Sequence, residues 1–217
     1  MINMLKKLWN WFSLNIISLC TWNGAKALLN GGIYYDITES EQDRIRKLLV
    51  SGYYIILTRR KTHLTTYLIA LGTWIKTGKL GYWSHGLMNL EDSNVHDDQD
   101  YRLMEATGIG VHYSTFMQVF DCDSVVLMKP KGFTIEDWTV CLDQLKKQEG
   151  KPYDTLFDLA QDNSLSCVEL VRIALQASPN YLKEFSKFEA MVQSEGKVIP
   201  QMLYDCGDFD VVYEVRH

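Results

Sequence analysis

Proline is scarce in this chain and never clustered: the four residues at positions 130, 152, 179 and 200 stand singly, with no Gly/Ser-rich or low-complexity tract. A flexible or polyproline linker is thereby excluded, and no internal repeat divides the chain. Long apolar runs are lacking too. Residues 5–22 are rich in Leu, Ile and Trp, but Asn10, Ser13, Asn15 and Ser18 interrupt them too often for a hydrocarbon-spanning helix. Lys6 and Lys7 precede this stretch, yet Cys20, Thr21 and Trp22 offer no small-residue cleavage pattern, which argues against a secretory signal. The expectation is a helix packed on the domain; the alternative is an interfacial helix making peripheral membrane contact through Trp9, Trp11 and Phe12.

Paired cysteines are missing as well. Cys20, Cys122, Cys141, Cys167 and Cys206 form no Cys-x-x-Cys and are odd in number, so a complete disulfide framework is excluded. Free thiols in a reducing, by default cytoplasmic, compartment are expected. A metal site drawn from His85, His96, His112 and Asp97 lacks the tight spacing of zinc ligands, and neither metal nor cofactor is expected. A net charge of −5 and the want of a basic stripe with interleaved aromatics exclude nucleic acid as a partner.

What is present is enough to bury one sizeable core: 217 residues, 47% hydrophobic and 23% charged. Residues 1–50 are read as an N-terminal helical segment packed on or extending the domain, and residues 51–217 as its body. The charge is uneven. Residues 1–80 carry eleven Lys/Arg against four Asp/Glu, a balance of +7 that leaves −12 for residues 81–217. Arg59, Arg60 and Lys61, with Lys76 and Lys79, read first as a solvated face and second as an attraction for an anionic substrate or membrane surface.

Thr38 and Glu41 have capping-box spacing, which predicts a helix over residues 39–50. Residues 53–58 are aromatic and β-branched and predict a buried strand. Residues 82–88 and 101–106 predict two more, joined across an acidic stretch at 91–100 as a hairpin. Residues 124–128 predict another strand, residues 134–150 a helix and residues 167–176 a second, with a closing strand over 210–215. Strands in the middle with helices on either side predict an α+β fold with a central antiparallel sheet.

Ser166 and Glu169 repeat the capping-box spacing, so Cys167 takes the first helical position. Unpaired N–H groups and the positive end of the helix dipole favour thiolate there, the usual activation of a nucleophilic cysteine. The competing role for Cys167 is that of a small buried hydrophobe. A nucleophile needs a base, and of His63, His85, His96, His112 and His217 the best placed is His85, on a strand and followed by Gly86. A hairpin centred on Val95 pairs residues whose numbers sum to 190, setting His85 opposite Glu105 with Cβ atoms roughly 5 Å apart. Cysteine, histidine and carboxylate together constitute nucleophile, base and orienting group for thiol acyl transfer, with backbone N–H groups near Cys167 for the oxyanion.

The order of these motifs over about residues 50–215 resembles the permuted papain-like amidases of the NlpC type, especially the YiiX/YaeF-like branch. The resemblance rests on the strand at 53–58, Ser84-His85-Gly86, Leu103-Met104-Glu105-Ala106, Gly150-Lys151-Pro152-Tyr153-Asp154 and Ser166-Cys167-Val168-Glu169-Leu170. It implies a circularly permuted papain-like fold, because His85 and Glu105 precede Cys167 instead of following it. It also implies a Cys167–His85–Glu105 triad, with Tyr153 near the nucleophile for substrate or oxyanion binding. Where the family commonly has Gly-Asp before the first strand, this chain has Gly52-Tyr53. The implied activity is that of a cysteine amidase or peptidase on cell-wall peptides or related amides. Two alternatives stand beside it: a lipid acyl hydrolase or acyltransferase, and a non-catalytic binding protein that keeps the fold.

Overall fold

The computed structural model describes residues 36–60, 81–90, 103–155, 159 and 163–217. The segment 5–22 with Cys20, the histidines His63 and His96, and the acidic stretch 91–100 lie outside the described residues. Helix α1 (Glu39–Val50) begins at the expected capping box, in which Thr38 Oγ1 accepts the Glu41 N–H at 3.4 Å and the Glu41 carboxylate accepts the Thr38 N–H at 2.6 Å. Strands β1 (Ile55–Arg59), β2 (His85–Asn89), β3 (Leu103–Thr107) and β4 (Gly110–Ser114) follow, then a short helix α2 (Phe116–Phe120) and strand β5 (Ser124–Pro130). Helices α3 (Ile135–Lys146), α4 (Cys167–Gln176), α5 (Tyr181–Glu184), α6 (Ser186–Glu195) and α7 (Pro200–Asp205) lead to the closing strand β6 (Phe209–Arg216).

The strands form one six-stranded sheet in the order β4-β3-β2-β1-β5-β6, with every paired neighbour antiparallel. Alternation along the central strands builds a core on each face. Ile55, Leu57, Met88, Met104 and Val126 pack with Trp138 of α3 and with Val168 and Val171 of α4. Ile56, Leu87, Leu103, Val125 and Leu127 pack on the other face with Ile45 and Leu49 of α1 and Phe116 of α2. The protein is therefore α+β, a central antiparallel sheet with helices packed on both faces. Strand β4 and helices α2, α5, α6 and α7 were not anticipated. Among the described residues no helix is long and apolar enough to cross a membrane.

One expectation needs correction. The β2–β3 pairing sets Met88 opposite Met104 and Asn89 opposite Leu103, numbers that sum to 192 and not 190. The 190 register would have put the fully buried Met88 opposite Arg102; the observed one gives it an apolar partner. Continued along β2, the register sets Glu105 opposite Leu87 and diagonal to His85. A slip of two residues keeps every side chain on its face, whereas a slip of one would have turned Glu105 away.

Gly86 brings the start of α4 onto the sheet. A Cβ there would stand 3.3 Å from Leu57 Cδ2 and 3.4 Å from Val168 Cγ2, the residue after Cys167. Gly86→Val is expected to lower stability by about 1–3 kcal/mol through overpacking and to shift Cys167 against His85. A lower urea midpoint together with slower thiol alkylation would check it; alkylation unchanged in a destabilised variant would show that this contact does not set the site.

Candidate active site

The local sequence fixes the cysteine first. Ser166 caps α4: its N–H donates to Glu169 Oε2 at 2.7 Å and its Oγ accepts the Glu169 N–H at 3.4 Å. Cys167 is thus the first helical residue, where N–H groups of the opening turn have no partner within the helix and the dipole favours an anion. Its side chain is buried, with the residue only 1% exposed. Burial raises the Glu169 carboxyl above its ordinary range against the pull of its Ser166 hydrogen bonds, which limits the negative charge that Glu169 places beside the thiol.

His85 opens β2, and its Nε2 lies 2.5 Å from Glu105 Oε2. With Nε2 engaged by Glu105, the other group acting on the ring is Cys167. Burial alone would favour the neutral imidazole. The negative charge of Cys167 and its hydrogen bond, followed by those of Glu105, outweigh burial and raise His85 to about 10. Burial would likewise protonate Glu105, but the hydrogen bond and charge of His85, the Ser114 hydroxyl and the charge of His112 hold it down at about 2. The His85 imidazolium and the Glu105 carboxylate thus form an ion pair beside the start of α4.

Ser114 and His112 were not chosen as site residues from sequence. Both lie on β4, where His112 stands opposite Glu105. Ser114 Oγ donates to Glu105 Oε1, and His112 Nε2 lies 3.7 Å from the same oxygen while its Nδ1 bonds the Gly110 carbonyl at 2.9 Å. A usable signal was present: Gly108-Ile109 between Thr107 and Gly110 has the form of a two-residue hairpin connection with Gly first. Its register alone sets His112 facing Glu105.

Tyr153 is placed by a backbone clasp. Leu165 N–H donates to Pro152 O at 2.9 Å and Asp154 N–H to Leu165 O at 3.1 Å, so Tyr153 and Leu165 form a parallel bridge two residues before Cys167. Burial first, then the negative charges of Cys167, Asp154 and Glu169, raise the Tyr153 phenol well above its ordinary value, so its hydroxyl is kept as a donor. The preceding segment is tied to β4 by Val111 N–H to Lys151 O at 2.8 Å and Gly150 N–H to Val111 O at 2.9 Å. Gly110, at φ +101, permits that approach, since a Cβ would stand 2.6 Å from the Lys151 oxygen. The structure thus brings Cys167, His85, Glu105 and Tyr153 to one junction of helix and sheet. A cavity of about 370 Å³ lined by Asp36, Gln42, Phe116 and Phe120 lies elsewhere, between α1 and α2, and includes none of these residues.

The chain is an α+β protein whose six-stranded antiparallel sheet carries the paired His85 and Glu105, with Cys167 at the start of a helix packed on that sheet. No family model matches it, and no curated protein does. Its fold is similar to that of a solved structure, the metalloprotein yiiX from Escherichia coli O157:H7 (DUF1105), at 20% identity and a TM-score of 0.53, over 76% of this chain and 97% of that one. The likeness is one of fold. Among the described residues of this chain, no group of three or more His, Cys, Asp or Glu side chains is arranged to hold a metal ion.

Proposed function

We propose that this chain is a cysteine hydrolase of the permuted papain-like, NlpC-type class, an amidase or peptidase acting through a thioester acyl-enzyme. The observation that supports it best is the His85 Nε2–Glu105 contact at 2.5 Å on a ring that Cys167, the first residue of α4, also acts on through its negative charge. In this reading the Cys167 thiolate attacks a carbonyl carbon, forming a C–S bond while N–H groups of the α4 turn receive the oxyanion. The His85 imidazolium gives its proton to the departing amine as the C–N bond breaks. Neutral His85 then takes a proton from water, whose oxygen displaces the thiolate and releases the acid. Glu105, held by Ser114, keeps the ring oriented and supports its positive charge, and the Tyr153 hydroxyl assists the carbonyl oxygen or a neighbouring substrate group.

The test is turnover of a panel of N-acyl peptide amides by the wild type, Cys167→Ala and Glu105→Gln. Cys167→Ala is expected to abolish turnover with an unchanged circular dichroism spectrum, and Glu105→Gln to reduce it about 10²-fold or more. Turnover retained by Cys167→Ala would sink the proposed nucleophile. The burial of the thiol favours a second reading, a binding protein with an idle triad, which predicts no turnover of any panel member and slow alkylation of Cys167.

A further inference from the structure

Three register-aligned positions end the strands on one side of His85: Arg59 on β1, Ser124 on β5 and Arg216 on β6. Tyr82, just before β2, lies across them. Its hydroxyl is 2.7 Å from Ser124 Oγ, and the guanidinium carbons of Arg59 and Arg216 stand 4.4 and 4.8 Å from its ring centre. Arg216 already has an acidic partner in Glu214 and donates to Tyr204 Oη at 2.7 Å. Arg59 differs. It is half-buried, and among the described residues it has no carboxylate partner. Its Nη1 donates to the Tyr82 carbonyl at 3.2 Å, and its Nε–H is buried with no hydrogen-bond partner among the described residues.

An unpaired cationic donor withdrawn from water is costly, and a planar carboxylate is the group that best completes a guanidinium edge. With Nη1 engaged and Nε closed to solvent, Nη2 is the donor left to meet an anion, and a small shift of the side chain would bring Nε into a second, parallel hydrogen bond. Its location is informative. Arg59 lies two residues beyond Leu57 on the same face of β1, roughly 7 Å along the strand. Leu57 and Val168 both flank Gly86, and Val168 adjoins Cys167. An anion held by Arg59 would therefore sit one short tether from the thiol.

We infer that Arg59, supported by Arg216 across the Tyr82 ring, is an anion subsite that receives a carboxylate of an acidic amide substrate. The assignment rests on the hydrolase reading for its substrate class, but the site itself can be tested without turnover. N-acetyl-β-alanine and its methyl ester differ in one charge. By calorimetric or NMR titration the acid is expected to bind about tenfold more tightly than the ester, with the difference lost in Arg59→Gln. Arg60→Gln is the control, because Arg60 turns to the carbonyls of Gln118 and Val119 on α2, and it should keep the preference. Arg59→Lys retains charge without the fork and should recover part of the preference; it also carries the test if Arg59→Gln does not fold. Equal affinity for acid and ester, no binding of either, or a preference unchanged in both Arg59 variants overturns the inference.

The reactive pair N-iodoacetyl-β-alanine and its methyl ester separates this site from the nucleophile, since the thiolate forms a C–S bond as iodide leaves. Arg59→Gln should lower the acid-to-ester rate ratio at Cys167 and leave the ester rate unchanged. Slow labelling by both reagents, with the binding preference intact, would fail the hydrolase reading and leave the anion subsite standing. Fast labelling by both, with no acid preference in rate or binding, would do the reverse.

Discussion

At pH 7, iodoacetamide is expected to alkylate Cys167 of the native protein ahead of Cys122, Cys141 and Cys206, and His85→Ala is expected to remove that advantage. Burial pushes Cys122 and Cys141 up to about 12 and Cys206 up to about 11. At neutral pH on the order of one in ten thousand of such groups, or fewer, is thiolate. Cys167 instead faces an imidazole that its own negative charge and Glu105 raise to about 10. The ring stays protonated well above its ordinary range, so Cys167 keeps a cationic partner through pH 7–9. Removing the imidazole should slow labelling at pH 6–7 by about a hundredfold, read peptide by peptide by mass spectrometry. Labelling spread evenly over the cysteines, or indifferent to His85→Ala, would withdraw the enzyme reading in favour of the idle binding protein.

Acid should expose the role of Glu105. Its carboxyl is held at about 2, well below the 4.5 of an ordinary glutamate, a depressed folded value. Its contribution to stability is therefore fully present above about pH 4.5 and is lost as pH falls towards 2. The difference corresponds to about 3 kcal/mol at pH 7, a large part of the margin of a domain this size. Urea unfolding of the wild type is expected to show that loss between pH 6 and 2, whereas Glu105→Gln should be weaker at pH 6 and much flatter below it. Parallel acid profiles for the two proteins would mean that Glu105 is not the anionic partner of His85.

Local chemistry was legible in the chain and long-range pairing only in part. The capping boxes at Thr38 and Ser166 are complete within four residues, which is why α1 and α4 begin where their spacing predicts. The placement of Cys167 followed from that alone. The link between His85 and Glu105 depended on strand register across a connection whose sequence carries no turn signature that fixes the pairing. Parity survived because both sheet faces are buried and each demands its own apolar set; the absolute register did not. His112 and Ser114 went unchosen although the Gly108-Ile109 connection could have placed them, since a five-residue strand with one exposed tyrosine presents little periodicity. The short helices between residues 181 and 205 are held by tertiary partners: Arg172 reaches from α4 to Glu189 of α6 at 2.7 and 3.0 Å, and Tyr181 of α5 donates to the same carboxylate. Such helices carry too little propensity or pattern of their own to be read alone.

The clasp between Pro152, Asp154 and Leu165 separates two properties that most loops tie together. Both strands of the chain, the one leaving β4's neighbour at Lys151 and the one arriving at Ser166, are fastened before the residues between them matter to the nucleophile. Chain entering and leaving through that clasp can be lengthened, shortened or exchanged at a modest entropic cost while Cys167 keeps its address. Length and sequence between Thr155 and Asn163 are thus free to vary without moving Cys167, and variants that differ only there should keep its position at the start of α4.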